Sequence, residues 1–259
     1  MLRRWCTALA GLALVGGALA ASAPAAAASH SARPTIHLIR PAMHGTAPMA
    51  ALGRSANVAR SQNWSGYAAH ARSYKKISAS WVQPTAHCTA SRTFSSFWVG
   101  LDGYNSNTVE QTGSEADCSS GHAKYSGWYE MYPAFPVNFS NPVHPGDHFT
   151  GSVTFTGSGH YTLVLKDITQ GWSHTVHKAR TGAQHSSAEV IAEAPSSGGV
   201  LPLTNFGTAH FSNAKVNGSA MGRANPTKII MVNGGGRAKD SVSALSGGTA
   251  FSVKWRHST

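Results

Sequence analysis

The first 101 residues contain no aspartate or glutamate; all ten acids of the 259-residue chain lie at Asp102 or beyond. Charge of either sign is scarce, at 12% of residues, about half the usual share. That excludes a charge-driven disordered chain and a surface built on ion-pair networks. Cysteine is scarce too, with three in all, too few for a thiolate metal site. No stretch of the later chain sustains a 3.6-residue apolar period, so helix is expected only as a turn or two. No repeat of 20–50 residues appears, which disfavours propellers and solenoids.

What charge there is lies unevenly. The formal net charge is +11, yet residues 1–60 hold six arginines, no lysine and no acid. The remaining residues carry 15 basic against 10 acidic groups, so about half of the basic character belongs to a leader and says little about the folded domain. Glycine is abundant and Ser, Thr and Asn are frequent, as in extracellular β-rich domains. About 200 residues remain after the leader, enough to bury one sizeable core.

Residues 1–28 read as a signal peptide: Arg3 and Arg4 precede the apolar run Ala8–Ala20, and small residues follow. The run is short and broken by glycine, which argues against a membrane span. Cys6 would leave with this segment. Cys88 and Cys118 would then form one disulfide in a secreted, extracellular chain. Residues 29–60, interrupted by Pro34, Pro41 and Pro48, look like a pro-segment or linker. The mature domain is expected over residues 61–259.

Within that domain, β-branched and aromatic runs alternate with Gly/Ser/Asn/Pro clusters. At least eleven strands are expected, among them Ile77–Val82, Phe94–Gly100, Val109–Gly113, Ala123–Tyr132 and Ala188–Ala192. They fit an antiparallel β-sandwich or barrel. Alternation sorts their side chains, since i, i+2 and i+4 share a face. Trp98 and Asp102 then point one way; Gln111 and Glu115 share a face; so do Trp128, Glu130 and Tyr132, and likewise Glu189, Ile191 and Glu193. Faces mixing tryptophan, tyrosine and carboxylate suit a substrate groove better than a solvated surface.

Several chemistries lack their signatures. There is no Gly-x-Ser-x-Gly elbow, no His-Glu-x-x-His and no phosphate-cradling or dinucleotide loop. His144, Asp147 and His148 could ligate zinc, but they sit in a Pro-Gly turn. No metal and no cofactor is expected. Nucleic-acid binding would need basic residues among the aromatics, and acids stand there instead. Carboxylate chemistry remains.

Six motifs occur in order: Asn63-Trp64-Ser65-Gly66-Tyr67, Trp81-Val82-Gln83-Pro84, Trp98-Val99-Gly100-Leu101-Asp102-Gly103, Glu110-Gln111-Thr112-Gly113, Trp128-Tyr129-Glu130-Met131-Tyr132-Pro133 and Ala188-Glu189-Val190-Ile191-Ala192-Glu193. Together they resemble the glutamic peptidases, or eqolisins, secreted acid proteases that pepstatin does not inhibit. The resemblance covers Asn63 to Trp255. It implies an all-β sandwich of two large antiparallel sheets, of the concanavalin A-like lectin and glucanase type, and polypeptide substrates. By motif, the catalytic pair corresponds to Gln111 and Glu189, while Trp64, Trp98, Asp102, Glu130 and Tyr132 match groove or supporting positions. The family commonly has an aromatic residue after the catalytic glutamate. Val190 stands there in this chain, and alternation turns it into the core.

Other readings stay open at this stage. A glycoside hydrolase on a lectin-like sandwich could use Glu189 and Glu193, and a carbohydrate-binding module could use the aromatic face without catalysis. Trp81, Trp172 and Trp255 are expected in packing, and the histidines beyond residue 60 at the surface. A monomer, with no membrane attachment once the signal is removed, is expected. The four arginines of residues 29–60 could lie against the acidic face at neutral pH and loosen when its carboxylates protonate.

Overall fold

A computed structural model of the chain describes residues 57–259. The expected signal peptide, and the expected pro-segment up to Ala56, lie outside the described residues. Among those described are sixteen strands, numbered here in chain order. The first sheet has the order β1 (Val58–Ser61), β14 (Thr227–Met231), β2 (Trp64–Ala69), β11 (Ala188–Glu193), β4 (Ser96–Leu101), β5 (Val109–Ser119), β6 (His122–Tyr132) and β7 (Val137–Asn138). The second has the order β10 (Trp172–Ala179), β9 (His160–Asp167), β8 (His148–Gly157), β3 (Lys76–Val82), β12 (Thr208–Val216), β16 (Phe251–Trp255) and β15 (Asp240–Val242). The short β13 (Ser219–Ala220) pairs with β12. A single 3-10 turn, Met221–Ala224, is the only helix among the described residues. This is the two-sheet, almost all-β sandwich that the sequence led one to expect.

One pairing departs from the antiparallel rule. β1 runs parallel to β14, with Val58 opposite Lys228 and Ser61 opposite Met231. The domain boundary expected at residue 61 therefore falls inside a strand. Val-Ala-Arg-Ser has no alternating pattern of its own and is held as an edge by β14, so no local signal marked it.

Alternation explains the layers. On β3, Ile77, Ala79 and Trp81 are buried while Lys76, Ser78 and Ser80 face outward. β2, β4 and β11 are buried at every position, so the first sheet is covered on both faces and the second on one. Between the sheets Trp81 stacks on Phe149 at 5.7 Å, and Phe97 meets Phe206 edge-on at 5.3 Å. The Trp81 indole donates across the sandwich to Ser114 Oγ at 2.8 Å, which satisfies a polar atom that burial would otherwise penalise. Val190 faces this core opposite Tyr67 and Val99, as alternation required. Each fully buried side chain of this size stabilises the fold by about 1.5–3 kcal/mol.

Cys88 and Cys118 form the expected disulfide, 30 residues apart, tying the segment after β3 to the end of β5. Loop-closure entropy for that spacing is about 3 kcal/mol. Replacing both cysteines by serine is expected to lower the unfolding free energy by about this amount, read from urea denaturation at one pH. A loss below a few tenths of a kcal/mol would show that the unfolded chain is already constrained there.

Candidate active site

Residues directly opposite one another in a sheet share a face. Across the first sheet one such row runs Ala68, Glu189, Gly100, Gln111 and Glu130, on β2, β11, β4, β5 and β6. Val190 and Leu101, next to it in the chain, point between the sheets, so the row lies on the outer face. Glu189 and Gln111 are two strand spacings apart, about 10 Å between backbones, with only Gly100 between them. A Cβ on Gly100 would come 2.8 Å from the Trp98 ring and 3.2 Å from Gln111 Cβ. Glycine lets the Trp98 ring and Gln111 pack directly over the β4 backbone between acid and amide.

The adjacent row is Gly66, Ile191, Trp98, Gly113 and Trp128. With Trp64, Val109 and Ile229 it forms an apolar cluster separate from the inter-sheet core, and Tyr132 packs against it half-buried. Trp64 meets Trp98 edge to face at 5.0 Å. Gly113 admits this packing, because a Cβ there would lie 2.3 Å from the Phe97 carbonyl oxygen. A third row holds Trp64, Glu193, Ser96, Glu115 and Ser126.

Hydrogen bonds separate the committed carboxyls on this face from Glu189; Glu110, on the opposite face, also has no partner of good geometry at either oxygen. Glu193 accepts from Trp98 Nε1 at 2.8 Å and Asn63 Nδ2 at 3.1 Å. Glu115 accepts from the Ser126 hydroxyl and from Asn138 Nδ2 at 3.3 Å. Glu130 Oε2 accepts from Gln111 Nε2 at 2.6 Å. That bond orients the amide and uses one of its two N–H protons; Gln111 Oε1 has no partner. Neither oxygen of Glu189 has a partner of good geometry. Buried polar atoms left this way are uncommon and mark sites of function.

Asp102 does a different job from lining a wall. Its carboxylate accepts from the backbone N–H groups of Gln184, His185 and Ser186 at 2.7–2.9 Å and from the Ser186 hydroxyl at 2.9 Å. The segment so held leads directly into β11 and Glu189, so Asp102 positions the acid through the backbone.

Burial pushes Glu189 well above the usual carboxylate range; the Ser187 hydroxyl offsets part of this, and the Asp102 and Glu110 carboxylates add to it. Burial also raises Glu193 to about 8, against the opposing effect of its Trp98, Asn63 and Trp64 contacts. Glu110 is the buried acid that sequence reasoning left unassigned. It stands one position before Gln111 on β5 and faces the core, near Thr108, Tyr161 and Arg180, and burial raises it to about 8. Its signal was present: an acid at an inward position of an alternating strand.

The glycosidase pairing would need Glu193 as its second carboxyl, and both oxygens of Glu193 are already taken up, by Asn63 Nδ2 and Trp98 Nε1. Asp147 is taken up within its turn by His144 N at 2.6 Å and Gln170 Nε2 at 2.8 Å. Trp81 packs as expected, with Trp172 and Trp255 half-buried against the core. Some histidines depart from the surface reading: His70 stacks on Tyr104 at 4.3 Å, and His185 packs on Phe155 at 4.0 Å.

A two-sheet β-sandwich with an acid and an amide on one face among tryptophans is the arrangement to set beside known peptide hydrolases. Residues 62–255 match the Peptidase A4 family, and the chain belongs to that family. Aspergillopepsin-2 of Aspergillus niger is 27% identical over 203 residues, 68% of this chain and 72% of that protein. Scytalido-glutamic peptidase, solved with a transition state analog inhibitor, matches with a TM-score of 0.66 at 23% identity, over 75% of this chain and 98% of its own. Aspergilloglutamic peptidase from Aspergillus niger matches at 0.57 and 26% identity, over 63% and 99%. The protein is thus an endopeptidase acting on polypeptides. Among the described residues no helix is long and apolar enough to cross a membrane.

Seven carboxyls are raised by burial: Glu110 and Glu193 to about 8, Asp117 and Asp240 to about 7, and Glu115, Asp167 and Glu189 upward. Between the unfolded carboxylate range and about pH 8 the folded chain therefore binds more protons than the unfolded one. Its stability is fully present below about pH 4 and declines as pH rises through 7–8. Urea unfolding is expected to have a clearly higher midpoint at pH 4 than at pH 8. Equal midpoints would show that folding does not raise these carboxyls above their unfolded range.

Proposed function

We propose that this chain is a secreted, acid-active peptidase in which Glu189 and Gln111 form the catalytic dyad. The observation that carries the reading is their placement across Gly100 on one face, with the Glu189 carboxyl and the Gln111 carbonyl oxygen both uncommitted. Glu189 takes a proton from water as the water oxygen bonds to the scissile carbonyl carbon. It then returns that proton to the nitrogen as the C–N bond breaks. The second N–H of Gln111 donates to the oxyanion, and its carbonyl oxygen orients the water. Glu130 supports this by fixing the amide.

Acid operation is supported by the fold, whose buried carboxyls make it most stable at low pH. Protonation of Glu110, which burial raises to about 8, removes one charge that opposes ionisation of Glu189. Glu189 must ionise to serve as base and is itself held above the usual range, so its ionisation sets the acid limit of the activity. Trp64, Trp98 and Tyr132 supply apolar surface for substrate side chains, and Asp102 holds the segment before Glu189. Export follows from the leader, and the arginine-bearing residues 29–60 act as a removable inhibitor that loosens on acidification.

Cleavage of denatured protein at pH 3–4, unaffected by pepstatin, is the expected activity. Glu189→Gln should lower kcat by about 10²–10⁴-fold with the fold intact. Gln111→Ala should lower kcat by about 10²–10³-fold with little change in KM. Full activity in Glu189→Gln would remove the dyad. If the four arginines at 33, 40, 54 and 60 are replaced, earlier activation at higher pH is expected; an unchanged activation pH would remove the inhibitor role.

A further inference from the structure

Charge is sorted radially in this molecule. All ten acidic residues are buried, so no acidic side chain is exposed among the described residues, while the lysines and arginines, Lys239 excepted, are exposed or half-buried. A partner approaching from outside meets positive charge with no carboxylate beside it to neutralise it. One part of that surface is also shaped. On the outer face of the second sheet, away from the dyad, lies a depression of about 310 Å³.

Register explains the shape. One row across β12, β3, β8 and β9 runs Lys215, Ser78, Ser152 and Val164; the next has Ser80, Thr150 and Lys166 on β3, β8 and β9. Short hydroxyl side chains form the floor, and long lysine stems rise at both ends, with the exposed Lys76 between. A bulge in β12 between Ser212 and Lys215 breaks the ladder and re-aims that rim. Asn213, in the bulge, reaches back to Ser80 Oγ at 3.4 Å. From β12 to β9 the floor spans three strand spacings, about 14 Å.

We propose that this face binds a linear anionic polysaccharide. The lysines pair with its sulfate, phosphate or carboxylate groups, while the serine and threonine hydroxyls and the Asn213 amide exchange hydrogen bonds with sugar hydroxyls. Nucleic acid fits less well, because no aromatic side chain lines the depression and bases have no surface to stack on. An acidic protein partner fits less well too, since Val164 is the only sizeable apolar group in the lining and protein interfaces rely on buried aromatic or aliphatic anchors. The site lies on the sheet opposite the dyad, so an enzyme held there keeps its catalytic face free.

The test compares the full chain with two variants that lose equal charge. Lys76→Ser/Lys166→Ser/Lys215→Ser empties the rim; Arg72→Ser/Lys124→Ser/Arg237→Ser removes three exposed cations elsewhere. Binding is measured by calorimetry at pH 5 against dextran sulfate, polygalacturonate, neutral dextran and single-stranded DNA. The wild-type chain should bind one or both anionic polysaccharides more tightly than DNA, and neutral dextran not at all. Which of the two binds tells sulfate from carboxylate recognition. The rim variant should weaken binding by roughly tenfold or more and the control by about twofold at most. Ser78→Val/Ser152→Val, which keeps every charge, should weaken polysaccharide binding and leave DNA binding unchanged. Equal losses in the two triple variants would reduce the effect to net charge and overturn the proposal. So would tighter binding of DNA, or no binding of either anionic polysaccharide. Unfolding midpoints and cleavage of a small peptide should match wild type in all three variants, which separates a lost site from a lost fold.

Discussion

The site depends on the register between β11, β4 and β5. Side chains in a strand alternate faces, so a slip of one residue would turn Glu189 into the core and Val190 out of it. What prevents the slip is the other face. Val190, Ala192, Val99 and Leu101 are all buried against the second sheet, and exposing even two of them would cost several kcal/mol. The face proposed as catalytic takes its register from the apolar core behind it. Gly100 and Gly113 then decide what the register can hold, by leaving room for Trp98 and Gln111.

The same architecture settles where the acids can be. A buried carboxylate is expensive, but a buried protonated carboxyl can share ordinary hydrogen bonds. Seven of the acids are raised by burial and so tend to keep a proton in acid. Carboxyls placed inside are therefore tolerated best in acid, where they keep their protons. The shortage of acids in the sequence is a consequence: the surface carries none, and the ten present have internal work. Asp102 holds the segment before β11, Glu193 holds Trp98, and Glu130 holds Gln111.

Much of this was legible from alternation and motif order. The faces of Trp98, Gln111, Glu130 and Glu189, the inward Val190 and the Cys88–Cys118 bridge all followed from local pattern. Rows did not, because a row is set by pairing between residues far apart in sequence. Glu189 and Glu193 share a face on one strand, and only the partners on β4 and β5 show that Glu189 stands across Gly100 from Gln111. Asp102 lay on the face assigned to Trp98 until its positive φ of 68° turned its carboxylate toward the backbone of 184–186. β1 was invisible for the same reason: its order comes from β14, some 170 positions later.

The two sheets also differ in a way that bears on catalysis. β3 reads Lys-Ile-Ser-Ala-Ser-Trp-Val and alternates wet and dry, as a sheet with one solvated face should. β11 reads Ala-Glu-Val-Ile-Ala-Glu and is buried at every position. Acids on a solvated face would keep ordinary pKa values, and water would screen whatever they did. Placed on a second face that excludes water, the same acids interact strongly with one another and with the amide of Gln111. The low local dielectric that makes Glu189 expensive to ionise also makes a donor aimed at an oxyanion effective. The covering of both faces of the first sheet thus raises the carboxyls of Glu189 and Glu193 and, in the proposed dyad, would strengthen the hydrogen bond that the neutral amide offers.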